Sequence, residues 1–455
     1  MNLFKKNEVD MLSGPIVKGL LAIALPIMIM NVTQSLFGII DMTILKMYDT
    51  GDGYAVGAVG ASGTLITLIT ALLIGVSSGA NVVIARYIGQ GDRDRVERAI
   101  GCSVLFSVAG GFTLLAIGVS LADVFLSLTN CPDELMSEAT LYFRLYFVGV
   151  PILMLYNFCA SILRSTGDSR RPMIYLTLGG ILKILFTYVF VAHFKMQVAG
   201  VAIATIISWL TSAVLAMRAL IKNDGVAHIK LERLRFYKQE LREMLIIGIP
   251  AGLQHALYSI ANVIITATVN SFGPDAATGI SIANNFDGIL YQVAVAPSLA
   301  VMPYVSQNVG RGNIKRAARS VSKGIMITVL LGATLGALSA IFSTELSSLM
   351  SDSPAVIAYS KQKMIIISST YFICGINEIM GASLRGMGRP VIATVATLIY
   401  MCAFRFVWVY LIFPLCPNMT FLYLVWPIGW TLSILTLLCY FFPTIKRLKA
   451  QAQLK

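Results

Sequence analysis

Long apolar runs separated by short polar clusters organise this 455-residue chain. Read at helical length they give twelve segments: 16–46, 55–87, 96–122, 136–163, 172–193, 198–221, 242–272, 277–308, 317–342, 356–384, 391–414 and 420–444. A membrane-spanning helix needs roughly 20 mostly apolar residues, and every run is that long. The longest are expected to tilt, or to continue as helix beyond the hydrocarbon. The longest polar stretch, Asn223 to Leu241, divides the chain near its midpoint and reads as a surface linker. The expected organisation is a first lobe over 1–222, a linker over 223–239 and a second lobe over 240–455.

Composition places these runs in a membrane. Hydrophobic residues make up 57% of the chain and charged residues 13%, against about 25% charged in soluble domains; the mean hydropathy is +0.78. A net charge of +13 would suggest nucleic acid in a soluble protein. Here the bases sit in short clusters between apolar runs, the pattern of cytoplasmic loops, and nucleic acid is not an expected partner. With the N-terminus inside, the cytoplasmic clusters include Lys5 and Lys6, Arg93 to Arg98, Lys222 to Arg242, Arg311 to Lys323, and Lys446 to Lys455. The outer side keeps Lys46, Arg144, Lys195, Lys361 and Lys363. This bias fits an even helix count with both termini cytoplasmic, in the cytoplasmic (inner) membrane. The first run is too long for a signal-peptide core, so it is expected to stay as an anchor. The seven cysteines contain no CxxC pair, so neither a metal site nor a disulfide framework is expected, and no cofactor is expected.

The two halves repeat one another. ARYIGQGDRDRVERAI from Ala85 resembles SQNVGRGNIKRAARSV from Ser306, with Gly89–Gly91 and Gly310–Gly312 lying 221 residues apart. LRSTG from Leu163 and LRGMG from Leu384 are again 221 apart, and ALPIM around Pro26 matches GIPAG around Pro250. Six helices per half is even, so both halves enter from the same side. Parallel repeats are related by an axis along the membrane normal and put a substrate path between them. The expected fold is therefore an all-α membrane protein of twelve transmembrane helices, in two six-helix lobes with pseudo-two-fold symmetry along that axis.

Pro26 with Asp41 in the first helix, GQG with its basic tail, the LRSTG and LRGMG pair, and VAGVAIATIIS from Val198 resemble the multidrug and toxic compound extrusion (MATE) transporters. The resemblance covers essentially the whole chain and lies in the order and doubling of its motifs. It implies two lobes around a central cavity and export of small organic compounds driven by an H⁺ or Na⁺ gradient. A lipid-linked oligosaccharide flippase of the same superfamily is the alternative. A membrane-embedded transferase is a second one, but His193, His228 and His255 are too few and scattered for its chemistry. Without a GxxxxGK[ST] loop the chain hydrolyses no ATP itself, so it is not expected to be an enzyme. A monomer in the lipid bilayer is the expected form.

Charges inside apolar runs cost about 2.5–3.5 kcal/mol or more and need a reason. In the first helix Asn31, Gln34, Gly38 and Asp41 fall on one face, and the resemblance makes Asp41 the coupling-ion acid. Lys183 in helix 5 has Thr187 one turn later. Many MATE proteins carry Asn and Asp at these two positions, so a lysine here fills charge space that Na⁺ otherwise takes. This favours H⁺ coupling through an Asp41–Lys183 pair that opens on protonation. Asn157, the repeat counterpart of Glu378, completes the expected coupling set. In the second half Glu378 and Arg405 read as an acid–base pair on adjacent helices, and Asp287 suits a cationic amphipathic substrate. His255, Tyr156 and Tyr291 are the remaining cavity candidates. The helix 7 acid of some MATE branches is absent; Tyr258 and Ser259 stand there.

Overall fold

The computed structural model describes residues 8–48, 54–129, 131–222 and 225–453. Among them every regular element is helical. The membrane helices are α1 (Ile16–Met47), α2 (Tyr54–Gln90), α3 (Arg93–Ser120), α4 (Asp133–Ser165), α5 (Arg170–Tyr188, continued by a π turn, Val189–His193) and α6 (Gln197–Ile221). The second half supplies α7 (Lys238–Asn270), α8 (Pro274–Gly310), α9 (Ile314–Ile341), α10 (Pro354–Ser368 with Tyr371–Gly386), α11 (Pro390–Leu415) and α12 (Met419–Gln453). Eleven of these are single helices long and apolar enough to span a membrane; α10 makes the twelfth if its two pieces, bent by 45°, form one span.

The turns explain why the repeated motifs stand where they do. After α2, Gly91 adopts φ +74°, and after α8 its counterpart Gly312 adopts φ +80°; a side chain is strained in that region. The next residue caps the following helix in both halves. The Asp92 carboxylate accepts from the Arg95 N–H at 3.1 Å, and the Asn313 side chain accepts from the Arg316 N–H at 3.1 Å. Such a side chain satisfies an amide the helix start leaves without a partner. Gly167 and Gly388 close α4 and α10 in the same way, with φ of +88° and +78°. The 221-residue offset is thus an offset between matching backbone conformations.

The helices form two compact units. One comprises residues 1–9 and 29–249; the other comprises 10–28 and 250–455. Two of the three divisions lie beside the matched prolines, Pro26 inside α1 and Pro250 inside α7; the third falls between Val9 and Asp10. Proline removes one helical hydrogen bond and crowds the preceding turn.

Within the first unit, close approaches run through glycine. A Cβ on Gly79 of α2 would lie 2.2 Å from the Met244 carbonyl oxygen, and one on Gly248 of α7 would lie 2.5 Å from the Val76 carbonyl oxygen. Small residues let helix backbones meet, which drives association where lipid is as apolar as the side chains.

Candidate functional site: two buried acid–lysine pairs

In the first unit, α1 meets α5 at successive levels. The Phe37 ring covers Gly180, where a Cβ would fall 1.8 Å from the ring. One turn further on each helix stand Asp41 and Lys183. Lys183 Nζ lies 2.5 Å from Asp41 Oδ2, and the Thr187 hydroxyl donates to Asp41 Oδ1 at 3.0 Å. At the helix ends Tyr48 and Tyr188 make an edge contact at 5.8 Å. Asp41 is 4% exposed and Thr187 fully buried, so both carboxylate oxygens are satisfied away from water. The Tyr142 phenol on α4 is within electrostatic reach of Asp41. Tyr142 neighbours Tyr146, which bonds Thr70 at 3.0 Å and packs on Trp209.

The other expected members of this set lie apart from it. Gln34 is exposed and Asn31 half-buried, and among the described residues no hydrogen bond joins either to Asp41. Their shared face is covered at the level of Asp41 and open at that of Gln34. Asn157 donates to the Leu153 carbonyl of its own helix at 3.0 Å.

The second unit holds a pair of the same chemistry. Lys363 Nζ on α10 lies 2.9 Å from Asp287 Oδ2 on α8 and also donates to Asn284 Oδ1. The Ser368 hydroxyl donates to Asp287 Oδ1 at 3.4 Å. Asp287 and Lys363 are 6% and 4% exposed. The approach is set by Gly279, whose absent Cβ makes room for the Val356 carbonyl and Tyr359 of α10. Lys363, placed on the outer side by loop counting, is buried, and Asp287 faces a lysine rather than open space.

Glu378 and Arg405 do not meet: among the described residues no ion pair or hydrogen bond joins them. Arg405 is 1% exposed and donates to Asn262 Oδ1 at 2.5 Å. Its guanidinium stacks over the rings of Tyr258 at 4.9 Å and Trp426 at 5.3 Å. Two π turns, Leu398–Ala403 and Trp408–Ile412, flank it; such turns re-aim side chains and recur at functional positions. Glu378 feels the charge of Arg385 instead, and Arg385 donates to Gln254 Oε1 at 3.0 Å. Tyr291 lies beside Tyr258, ring centroids 6.5 Å apart. Tyr156 donates to the Pro172 carbonyl at 3.0 Å. The side chain of His255 lies outside the described residues.

Reading the sequence missed Lys363, Ser368, Asn284, Gln254 and Asn262. One signal was available: Lys363 stands inside an apolar run, and Asp287 stands inside another that begins on the same side.

Charges held inside apolar helices, in two repeated helical units, define a polytopic membrane transporter. The MatE sequence family matches residues 26–189 and 250–411, one match per repeat, and the chain belongs to this family, the MATE transporters. It is 26% identical over 397 residues to the probable multidrug resistance protein YpnP of Bacillus subtilis, covering 87% of this chain and 88% of that one. It is 28% identical over 404 residues to the probable multidrug resistance protein NorM of Thermotoga maritima, covering 88% and 85%. The FAD transporter of Shewanella oneidensis is 26% identical over 401 residues, covering 86% and 87%. Its fold is similar to that of an outward-facing multidrug resistance MATE transporter of the MOP superfamily, with a TM-score of 0.90 at 20% identity over 98% of this chain and 99% of that one. It is also similar to a MOP superfamily transporter from Pyrococcus furiosus, with a TM-score of 0.86 at 22% identity over 98% and 99%.

Proposed function

We propose that the chain is a secondary exporter of small organic compounds that works by H⁺ antiport, with Asp41 and Lys183 as its coupling pair. The observation that carries this reading is the 2.5 Å contact between Lys183 Nζ and Asp41 Oδ2, closed on the other oxygen by Thr187. The lysine occupies the charge position a bound Na⁺ would need. A proton reaching Asp41 neutralises the carboxylate and releases the ammonium; losing that proton restores the pair. Desolvation and Coulomb attraction in a buried pair oppose each other by several kcal/mol, so one proton is enough to tip the balance.

Family membership and the multidrug names of the relatives support efflux. For a cationic amphipathic substrate we assign Glu378, a buried carboxylate that lacks an ion pair among the described residues. The base-rich clusters support the cytoplasmic membrane with both termini inside, and two lobes in one chain suit a monomer.

The test is transport of a cationic dye in proteoliposomes under an imposed H⁺ or Na⁺ gradient. A pH gradient alone should drive it. Transport that follows a Na⁺ gradient and ignores pH would overturn the assignment.

A further inference from the structure

We propose that Asp287 and Lys363 form a second proton-coupling pair, so that each transport cycle moves two protons. The proposal rests on the antiport reading of the first pair. Three features of the geometry carry it.

The chemistry is the same in both units. One carboxylate oxygen takes a lysine ammonium and the other takes a hydroxyl from the lysine's own helix: Thr187 four residues beyond Lys183, Ser368 five beyond Lys363. One position also corresponds. Lys363 stands 221 residues after Tyr142, the phenol within reach of Asp41. The acids themselves are not counterparts, since one lies on α1 and the other on α8. The second unit therefore reaches the same arrangement with different residues. Finally, a buried ion pair is a poor device for stability alone, because well-packed apolar residues of similar volume do as well or better.

Few other groups face Asp287. On α8 there is Asn284, which shares Lys363. On α10 there are Lys363, Ser368 and, within electrostatic reach, Tyr371. From α12 comes Tyr423. From α9 the Ser339 hydroxyl donates to Ser368 at 3.4 Å. Lys363 is the cation in ion-pair contact with Asp287 among the described residues. A proton from water on the outer side bonds to a carboxylate oxygen of Asp287, and the ion pair breaks. Lys363 keeps its own proton, so the pair passes from neutral to one positive charge. When that O–H bond breaks the proton leaves to water on the cytoplasmic side and the pair re-forms; nothing is oxidised or reduced.

The experiment compares wild type with Asp287→Asn and with Asp287→Asn/Lys363→Gln, which leaves no buried lone charge. In proteoliposomes clamped at zero membrane potential, each coupled proton supports about a tenfold substrate gradient per pH unit. Wild type should hold about a 100-fold gradient at one pH unit, and either variant about tenfold. Infrared titration of the purified proteins should show a carboxylic-acid carbonyl band in the transport pH range that is smaller in both variants. An unchanged gradient overturns the proposal. So does an unchanged infrared band, even in a variant that has lost transport. Both results leave a pH-driven wild type and the first pair standing, whereas a wild type indifferent to pH removes the antiport reading itself.

Discussion

Lys183 and Asp41 sit on two helices whose register is fixed one turn earlier, where Phe37 of α1 lies against Gly180 of α5. The glycine is what allows the contact, because any side chain there would push the ring, and α1 with it, away. A carboxylate and an ammonium facing each other with their remaining capacity filled by Thr187 form a closed unit. That unit has no reason to open until a proton arrives.

Asp41→Asn should therefore abolish the share of gradient-driven efflux that the first pair couples, leaving at most the gradient the Asp287–Lys363 pair supports, while insertion and yield stay normal. The amide neither binds a transportable proton nor changes partner with pH, so it offers the two conformations no differential free energy. Efflux assays on matched amounts of reconstituted protein check this; a wild-type rate would make Asp41 merely structural.

Lys183→Ala should shift the pH optimum of transport, because the buried carboxylate loses the cation that balances it. Transport rates across a pH series report the shift. The emptied position should also admit Na⁺, visible as stimulation absent from wild type.

Much of the architecture was legible because membranes impose simple rules. Twelve apolar runs, the 221-residue offset and the paired glycines follow from length, saturation of backbone hydrogen bonds and turn geometry. The Asp41–Lys183 contact could be anticipated because the charges were isolated and the resemblance put their helices together. The Glu378–Arg405 expectation failed because a repeat offset assigns residues to helices without fixing where side chains point. The π turns around Arg405 direct it to Asn262 and two aromatic rings. Lys363 was misplaced because counting bases on one side of the membrane assumes each is near water.

Gly79→Ala and Gly63→Ala should change stability in opposite directions. At Gly79 the added methyl meets the Met244 carbonyl oxygen at 2.2 Å and the Gly248 nitrogen at 2.9 Å, both backbone. Relieving this requires helix movement, at about 1–3 kcal/mol. At Gly63, on the same helix, nothing lies within 4 Å. Alanine there should stabilise by about 0.5–1 kcal/mol through helix propensity. Thermal unfolding in detergent separates the two; equal losses would mean that α2 tolerates no alanine for reasons other than this contact.

The start of the second unit offers a pH-dependent prediction outside the membrane segments. The Asp10 carboxylate accepts from the Ser13 hydroxyl and from the N–H groups of Leu12 and Ser13, both at 2.9 Å. The Ser13 hydroxyl foremost holds its pKa below the usual value, with the Ser13 N–H helping. The turn presents carbonyls to the second repeat: Arg316 donates to Met11 O at 3.0 Å and to Gly14 O, and Asn308 donates to Met11 O at 3.0 Å. A lowered carboxyl pKa stabilises the folded arrangement above the ordinary carboxylate range, and that contribution disappears as pH falls through the lowered value. At neutral pH the Leu12 and Ser13 amides should therefore be protected from hydrogen exchange. Asp10→Ala should remove that protection, while wild type should lose it only in acid, with rates corrected for the intrinsic pH dependence of exchange. Arg316→Ala should free the same segment without altering its acid response, because the turn itself remains. Protection at neutral pH that survives Asp10→Ala would show that the Arg316 and Asn308 contacts hold the segment without the turn.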